Sequence, residues 1–303
     1  MKFIMRIDDV GYSHIHNLGS FRTIDEGITT SADMMLDCPG TVEALKFLRE
    51  RPWISVGWHT HFWGAPVLPS EKVPSMIEIY KGKVRFKRNI NRLEDLNEKE
   101  VYEEMRAQIE RCIEILGRTP DTGAGGHGHS VFSETLTRVS KEYGMPYDFL
   151  AMPKHEPPSE FMKFINAEPH DPTQGCVYSA NPESVLGQLS WRKRETMTVR
   201  EAVSYDPWKY FLEDPAHMLD YADDEYVFTA LHPGNVDEFV MSGGSNINYY
   251  LCRPIDTECL CSQEIHDWVK NNNVELCNFR DALYGTRSYQ NHLKHVGSDL
   301  YRP

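Results

Sequence analysis

The sequence predicts an α/β fold, a parallel sheet or barrel in a single domain, and three observations carry that prediction. The first sixty residues alternate β-α-β-α-β by pattern, and this alternation builds parallel sheets. Short apolar runs end abruptly at chemistry-bearing residues: at Asp8-Asp9, at His59 and at His232. In an α/β protein the carboxyl ends of strands are where ligands and catalytic groups collect. The chain has 303 residues, 40% hydrophobic and 11% aromatic, which is enough for one large core.

Each element has its own warrant. Phe3-Ile4-Met5 and Ile7 form a buried strand that stops at Asp8, Asp9 and Gly11. Residues 13 to 26 read as a helix capped by Ser13 and ended by Gly27. Thr30–Leu36 is a second strand and Cys38-Pro39-Gly40 a turn. Residues 41 to 50 carry Val42, Leu45, Phe47 and Leu48 near helical spacing, and Ile54–Gly57 is a third strand, ending at Trp58-His59-Thr60-His61. Residues 64 to 95, punctuated by Pro66, Pro69 and Pro74, are too few for a domain and read as a long loop or lid. Residues 97 to 117 form the clearest helix, with Val101, Met105, Ile109, Cys112, Ile113 and Leu116 on one side.

Thr122–His129 holds four glycines and two histidines, which no stable helix interior tolerates. A helix follows over 133 to 143, then a strand over Tyr147–Ala151. Residues 152 to 205 are Pro-rich and read as substrate-side elaboration, with the Arg192–Arg194 cluster taken as surface. Asp206–Tyr221 looks helical, Glu225–Ala230 is a strand running into His232-Pro233-Gly234, and 257 to 270 is a helix. Val274–Cys277 is a final strand, and Asn278–Tyr284 is the turn into a last helix. The domain is thus placed at residues 1 to 285. The polar tail, 286 to 303, is expected to pack on a neighbour or stay loose.

Composition excludes several classes. A formal charge of −13 with one short basic run, Lys81 to Arg88, leaves nucleic acid and acidic lipid as poor partners. Seven cysteines at irregular spacing read as reduced thiols. No stretch approaches the roughly 20 apolar residues of a membrane span, and the N-terminus lacks the pattern of a secretory leader. A soluble cytoplasmic protein is expected, with a homodimer as a base-rate expectation.

The chemistry lies in four separate segments. A hydrolytic metal site needs about three protein ligands and an open position. Asp9, His59 and His127 can supply the ligands, Asp8 the base and His232 the acid. His61 and His129 each follow a proposed ligand by two residues and are candidates to line the pocket. Trp58, Phe62 and Trp63 are core candidates, though one of them, Trp63 in particular, could stack on a sugar ring. His14 and His16 are read as helix-start residues, and His155, His170, His217, His266, His292 and His295 as structural.

These motifs together resemble the YdjC/ChbG-like carbohydrate deacetylase family. Arg6-Ile7-Asp8-Asp9-Val10-Gly11 is similar to its Asp-Asp-Phe-Gly opening, with Val10 for Phe. Asn17 and Gly27–Met35 resemble its Asn and Thr-Ser stretch. Val56-Gly57-Trp58-His59, Gly125-Gly126-His127-Gly128-His129 and His232-Pro233-Gly234-Asn235-Val236-Asp237 resemble three further blocks, Gly125 standing where the family has Asp. Arg253 with Glu258, and Asn278–Asp281, resemble C-terminal features. The resemblance implies an irregular TIM-like (β/α) barrel and a metal-dependent deacetylase of sugars. It implies one divalent ion on Asp9, His59 and His127, usually assigned as Mg2+ in the family, with Asp8 as proton acceptor. Two nitrogens and a carboxylate suit Zn2+ at least as well. Asp237 and Arg253 are further substrate-binding candidates. The expected reaction removes acetyl groups from an N-acetylated sugar or short oligosaccharide. The rivals are ester or glycosidic cleavage at the same site, and a non-catalytic sugar-binding relative.

Overall fold

A computed structural model describes residues 1–123, 129–146, 150–151, 177–180, 196–243 and 247–303. The first strand, β1 (Lys2–Val10), is longer than its apolar run and carries both aspartates. Next come α1 (His14–Asp25), β2 (Ser31–Met35), α2 (Thr41–Arg49) and β3 (Ser55–His59). The expected β-α-β-α-β opening is therefore observed. Ser13 caps α1 by accepting the His16 N–H, as its residue type suggests. In the long helix α3 (Glu98–Leu116), Asn97 caps the start and Gly117, at φ 82°, closes the end. Helix α4 (Val131–Glu142) follows.

The strands form one seven-stranded sheet. β1 lies between β2 and β8 (Tyr226–Leu231), all parallel, with Ile7 opposite Ala32 on one side and Leu231 on the other. β3 pairs with β2, and β7 (Val177–Ser179) with β8 and then β6 (Leu150–Ala151). The short β9 (Glu275–Leu276) joins the start of β1. The order β3-β2-β1-β8-β7-β6 is an α/β architecture in a single domain. Among the described residues no pairing joins β3 to β6, so the expected barrel closure is not observed. Helices cover the sheet: Phe3 of β1 packs edge-on to Phe211 and Trp268. A contiguous core runs from Met1 to Leu300.

Five expectations change, the first being the turn expected over Asn278–Tyr284, which is a short helix, Phe279–Tyr284, capped by Asn278. Asp206–Tyr221 is not one helix: Pro215 lacks a backbone N–H, so the helix stops at Leu212 and a separate 3-10 turn spans Met218–Asp220. The helix expected over 257 to 270 is two, Cys252–Leu260 and Gln263–Asn271, divided at Ser262. The tail is not loose. It carries a helix, Ser288–His295, which buries Tyr289 and Leu293, four residues apart, against the domain; Leu300 follows them in. Trp53 stacks on His292 at 3.6 Å. Residues 64 to 95 are not featureless: β4 (Ile77–Tyr80) and β5 (Lys83–Phe86) form a hairpin, pinned by buried Val73, Met76, Phe86 and Ile90.

The expected strand at Tyr147–Ala151 is seen at its end. His127, Gly125, His155, His170 and the Arg192–Arg194 cluster lie outside the described residues. Cys38, Cys112, Cys252, Cys259, Cys261 and Cys277 are free thiols, as expected. Among the described residues no helix is long and apolar enough to cross a membrane.

Candidate functional site

Parallel strands place their carboxyl ends at one end of the sheet, and the candidate residues gather there. β1 brings Asp8 and Asp9, β2 brings Asp33, β3 ends at His59, and β8 runs directly into His232. The register of β1 shifts between Ile7 and Val10, and Asp9 has φ +63°. This left-handed conformation is uncommon outside glycine, although Asp tolerates it better than most residues. It lets the two adjacent carboxylates serve different neighbours.

Asp9 is almost fully buried. Its Oδ2 accepts a 2.5 Å hydrogen bond from Arg253 Nη2, and its Oδ1 lies 3.0 Å from His59 Nε2 and 3.6 Å from His61 Nε2. Burial alone would raise the Asp9 pKa, but the Arg253 guanidinium and the two histidines hold it well below the carboxylate range. Asp8 faces Arg6 instead, at 2.8 Å from Nε and 3.1 Å from Nη2, and its Oδ2 lies 3.9 Å from His232 Nε2. Burial opposes its ionisation as well, yet Arg6, His59 and His232 bring its pKa below the ordinary value. Both carboxylates are therefore ionised at neutral pH. Burial pulls the His59 pKa down, and the surrounding Asp8, Asp9 and Asp33 raise it above the usual imidazole value.

The residues fit a cation. A carboxylate oxygen of Asp9 and one ring nitrogen each of His59 and His61 lie within 4.8 Å of one another. Among the described residues neither Asp9 Oδ1 nor His59 Nε2 has a hydrogen-bond partner, although they lie 3.0 Å apart. Buried polar atoms are almost always paired. Two such atoms side by side are what a cation ligated by both would satisfy, and one carboxylate with two imidazoles suits a borderline divalent ion. Among the described residues His61 thus joins Asp9 and His59, where the sequence suggested only a place in the pocket wall.

The other candidates separate. Trp63 stacks on His61 at 4.1 Å, the rings 5° from parallel. It also lines a 750 Å³ cleft with Asp37, Tyr80, Arg85, Asp237 and Phe239, so the hairpin forms one wall beside the site. Asp237 Oδ1 accepts the Val240 N–H. Arg253, 1% exposed, lies beneath Asp9 and not in the cleft. His129 faces solvent, 3.7 Å from Glu134, away from the expected pocket wall. His14 is exposed and bonded to Glu43, in keeping with a helix-start role. Trp58 and Phe62 are core.

Sequence reasoning missed four supporting residues. His16 is fully buried and its Nε2 accepts from Arg253 Nη1 at 3.0 Å; burial and that guanidinium keep it neutral. Asp256 accepts the His232 backbone N–H at 3.1 Å and the Tyr205 hydroxyl at 2.8 Å, which fixes the turn after β8. Arg6 and Asp33 carry charge on strands that are otherwise apolar. That misfit with an apolar strand was visible in the sequence for these two; nothing marked His16 or Asp256.

With this geometry in view, similarity to known proteins is informative. The chain matches the YdjC-like protein family over residues 2–271. The carbohydrate deacetylase of Brevibacillus brevis strain 47 is 26% identical over 284 residues, 93% of this chain and 99% of that protein. Carbohydrate deacetylase 2 of Listeria innocua serovar 6a is 25% identical over 288 residues, covering 93% and 98%. A crystal structure from Enterococcus faecalis V583, described as a candidate cellobiose-phosphate cleavage protein, superposes with a TM-score of 0.61 at 21% identity, covering 92% of this chain and 98% of that one. This last likeness shows the fold alone. The chain belongs to the YdjC-like family.

Proposed function

We propose that this member of the YdjC-like family is a metal-dependent carbohydrate deacetylase that releases acetate from an N-acetylated sugar or short oligosaccharide. The observation that carries the reading is the Asp9–His59–His61 group, with Asp9 buried and both histidines half-buried, next to the open cleft that Trp63 lines. Full-length likeness to proteins named carbohydrate deacetylase supports it. Asp9, His59 and His61 would hold the ion, with His127 proposed as a further ligand. A divalent cation, Zn2+ or Mg2+, supplies Lewis-acid polarisation of the acetyl carbonyl and a more acidic water.

The chain's own residues do the rest. Asp8, ionised and next to the proposed ion site, takes the proton of the attacking water. His232, on the other side of Asp8, gives a proton to the departing amine. Arg253 holds Asp9 ionised and oriented. Trp63 offers a flat apolar face to a sugar ring at the mouth of the cleft. The test is acetate release from a panel of N-acetylated mono- and disaccharides, before and after chelation and with metal add-back. Release that chelation abolishes and metal restores is the expected result. No acetate from any sugar, in protein that binds the ion, would overturn the deacetylase assignment.

A further inference from the structure

His59 sits among three carboxylates, Asp8, Asp9 and Asp33, of which Asp8 is held by Arg6. The His59 Nε2 is 3.0 Å from Asp9 Oδ1, and its Nδ1 is 3.8 Å from Asp33 Oδ2. We propose that Asp33 is a positioning residue for the cation: it holds the His59 proton on Nδ1 and so leaves the Nε2 lone pair free beside Asp9. The inference rests on reading Asp9, His59 and His61 as the ion site. A neutral imidazole carries one N–H, and a histidine that binds a metal through one nitrogen usually gives its other N–H to a carboxylate or carbonyl. Asp9, being closer, draws the proton towards Nε2, where it would block the nitrogen the cation needs. Asp33 opposes that pull from the other side of the ring. At 3.8 Å its influence is electrostatic and not that of a formed hydrogen bond.

The surroundings show that this carboxylate has a place made for it. Asp33 is 8% exposed, in the middle of β2 between Ala32 and Met34, both fully buried. Packing alone gives no reason for a charge there. Across the ladder its partner is Gly57. A Cβ at Gly57 would come within 2.0 Å of Asp33 Oδ1 and 2.5 Å of Thr122 Oγ1, so the carboxylate occupies the volume that any other residue would fill. Arg6 Nη1 lies 3.4 Å from Asp33 Oδ2 while its Nε contacts Asp8, so one guanidinium balances both acids. Asp8, Asp33 and His59 are themselves close enough to ligate a cation. The Arg6 charge already between Asp8 and Asp33 repels a second divalent ion there, which leaves Asp33 to act on His59.

The experiment uses Zn2+ alone as probe, on the full chain, for wild type, Asp33→Asn and Asp33→Ala. Zinc affinity is measured by chelator competition, the zinc-induced rise in melting temperature is measured in parallel, and the His59 ring nitrogens are followed by 15N NMR. The expected result is a zinc affinity about 10-fold weaker in both variants and a smaller zinc-induced rise, in Asp33→Asn, which keeps the side-chain volume, as well as in Asp33→Ala, whose zinc-free melting temperature also falls through the lost Arg6 contact. A purely structural role would lower the zinc-free value and leave the zinc-induced rise intact. In zinc-loaded wild type, His59 should bind through Nε2 and carry its proton on Nδ1; this reading stands even if neither variant folds. Variant affinity within threefold of wild type, or coordination through Nδ1, would overturn the role of Asp33 alone. Wild type that binds no zinc would instead overturn the ion site, and the inference with it.

Discussion

Arg253 and Asp9 form a pair whose loss should be measurable as stability. The guanidinium and carboxylate are 2.5 Å apart, with side chains 1% and 2% exposed. Removing Arg253 leaves the Asp9 charge buried and uncompensated, and leaves His16 Nε2 without the donor it accepts from. Breaking a buried pair from one side costs about 3–5 kcal/mol. An unfolding entropy of about 2.1 cal/mol/K per residue gives roughly 0.6 kcal/mol/K for a chain of this size. Arg253→Met, which keeps most of the volume, should therefore lower the melting temperature by about 5–8 °C in chelator. A double-mutant cycle with Asp9→Asn isolates the pair, because the neutral amide does not need the guanidinium. The second substitution should recover part of the loss, and the coupling energy from urea denaturation should exceed about 1 kcal/mol. Divalent cation should stabilise Arg253→Met more than wild type, since it supplies the missing charge at Asp9. Additive single and double variants, with coupling below about 0.5 kcal/mol, would refute the argument that Arg253 is what keeps Asp9 ionised.

Other expectations follow from the same geometry. Asp8→Asn should lower kcat by about 10²–10⁴ while zinc affinity stays near wild type; near-full turnover would remove Asp8 from the role of base. Gly57→Ala should cost about 1–3 kcal/mol through overpacking against Asp33 and Thr122, with weaker zinc binding, and an unchanged melting temperature would contradict the contact. Asp37 accepts the Gly64 N–H, yet burial raises its pKa from 3.8 to about 6. Its neutral form is then favoured in the folded state, so its contribution to stability is complete below 3.8 and is lost as pH rises through about 6, a difference of about 3 kcal/mol. Subtracting the Asp37→Asn profile from that of wild type should show stability falling across this window; a flat difference would mean the carboxyl is not buried as described.

Local chemistry made much of the molecule legible. The apolar runs ending at Asp9, His59 and Leu231 specify parallel strands whose ends carry function, because side-chain period and buried length are properties of the sequence itself. The capping residue Ser13 placed a helix start for the same reason: it satisfies an orphan N–H within its own turn, as Asn97 and Asn278 also do in the structure. Where two local signals competed, the reading slipped, as at Pro215 and Ser262. The tail was misjudged because its apolar residues, Tyr289, Leu293 and Leu300, are few and become a face only when a surface exists to receive them.

The site divides along the same line. The sequence alone determined which residue types are present and that Asp8, Asp9, His59 and His232 sit at strand ends. It could not say which groups meet, because proximity between Asp9 and Arg253, 244 positions apart, or between Asp33 and His59 across two strands, is set by sheet order and register. Nor could it give the sign of a pKa shift, since burial and the nearest opposite charge act against each other and only their distances decide. Tertiary structure made that decision: it gave Asp9 to Arg253, Asp8 to Arg6, and left the Asp9 and His59 donor atoms facing one space.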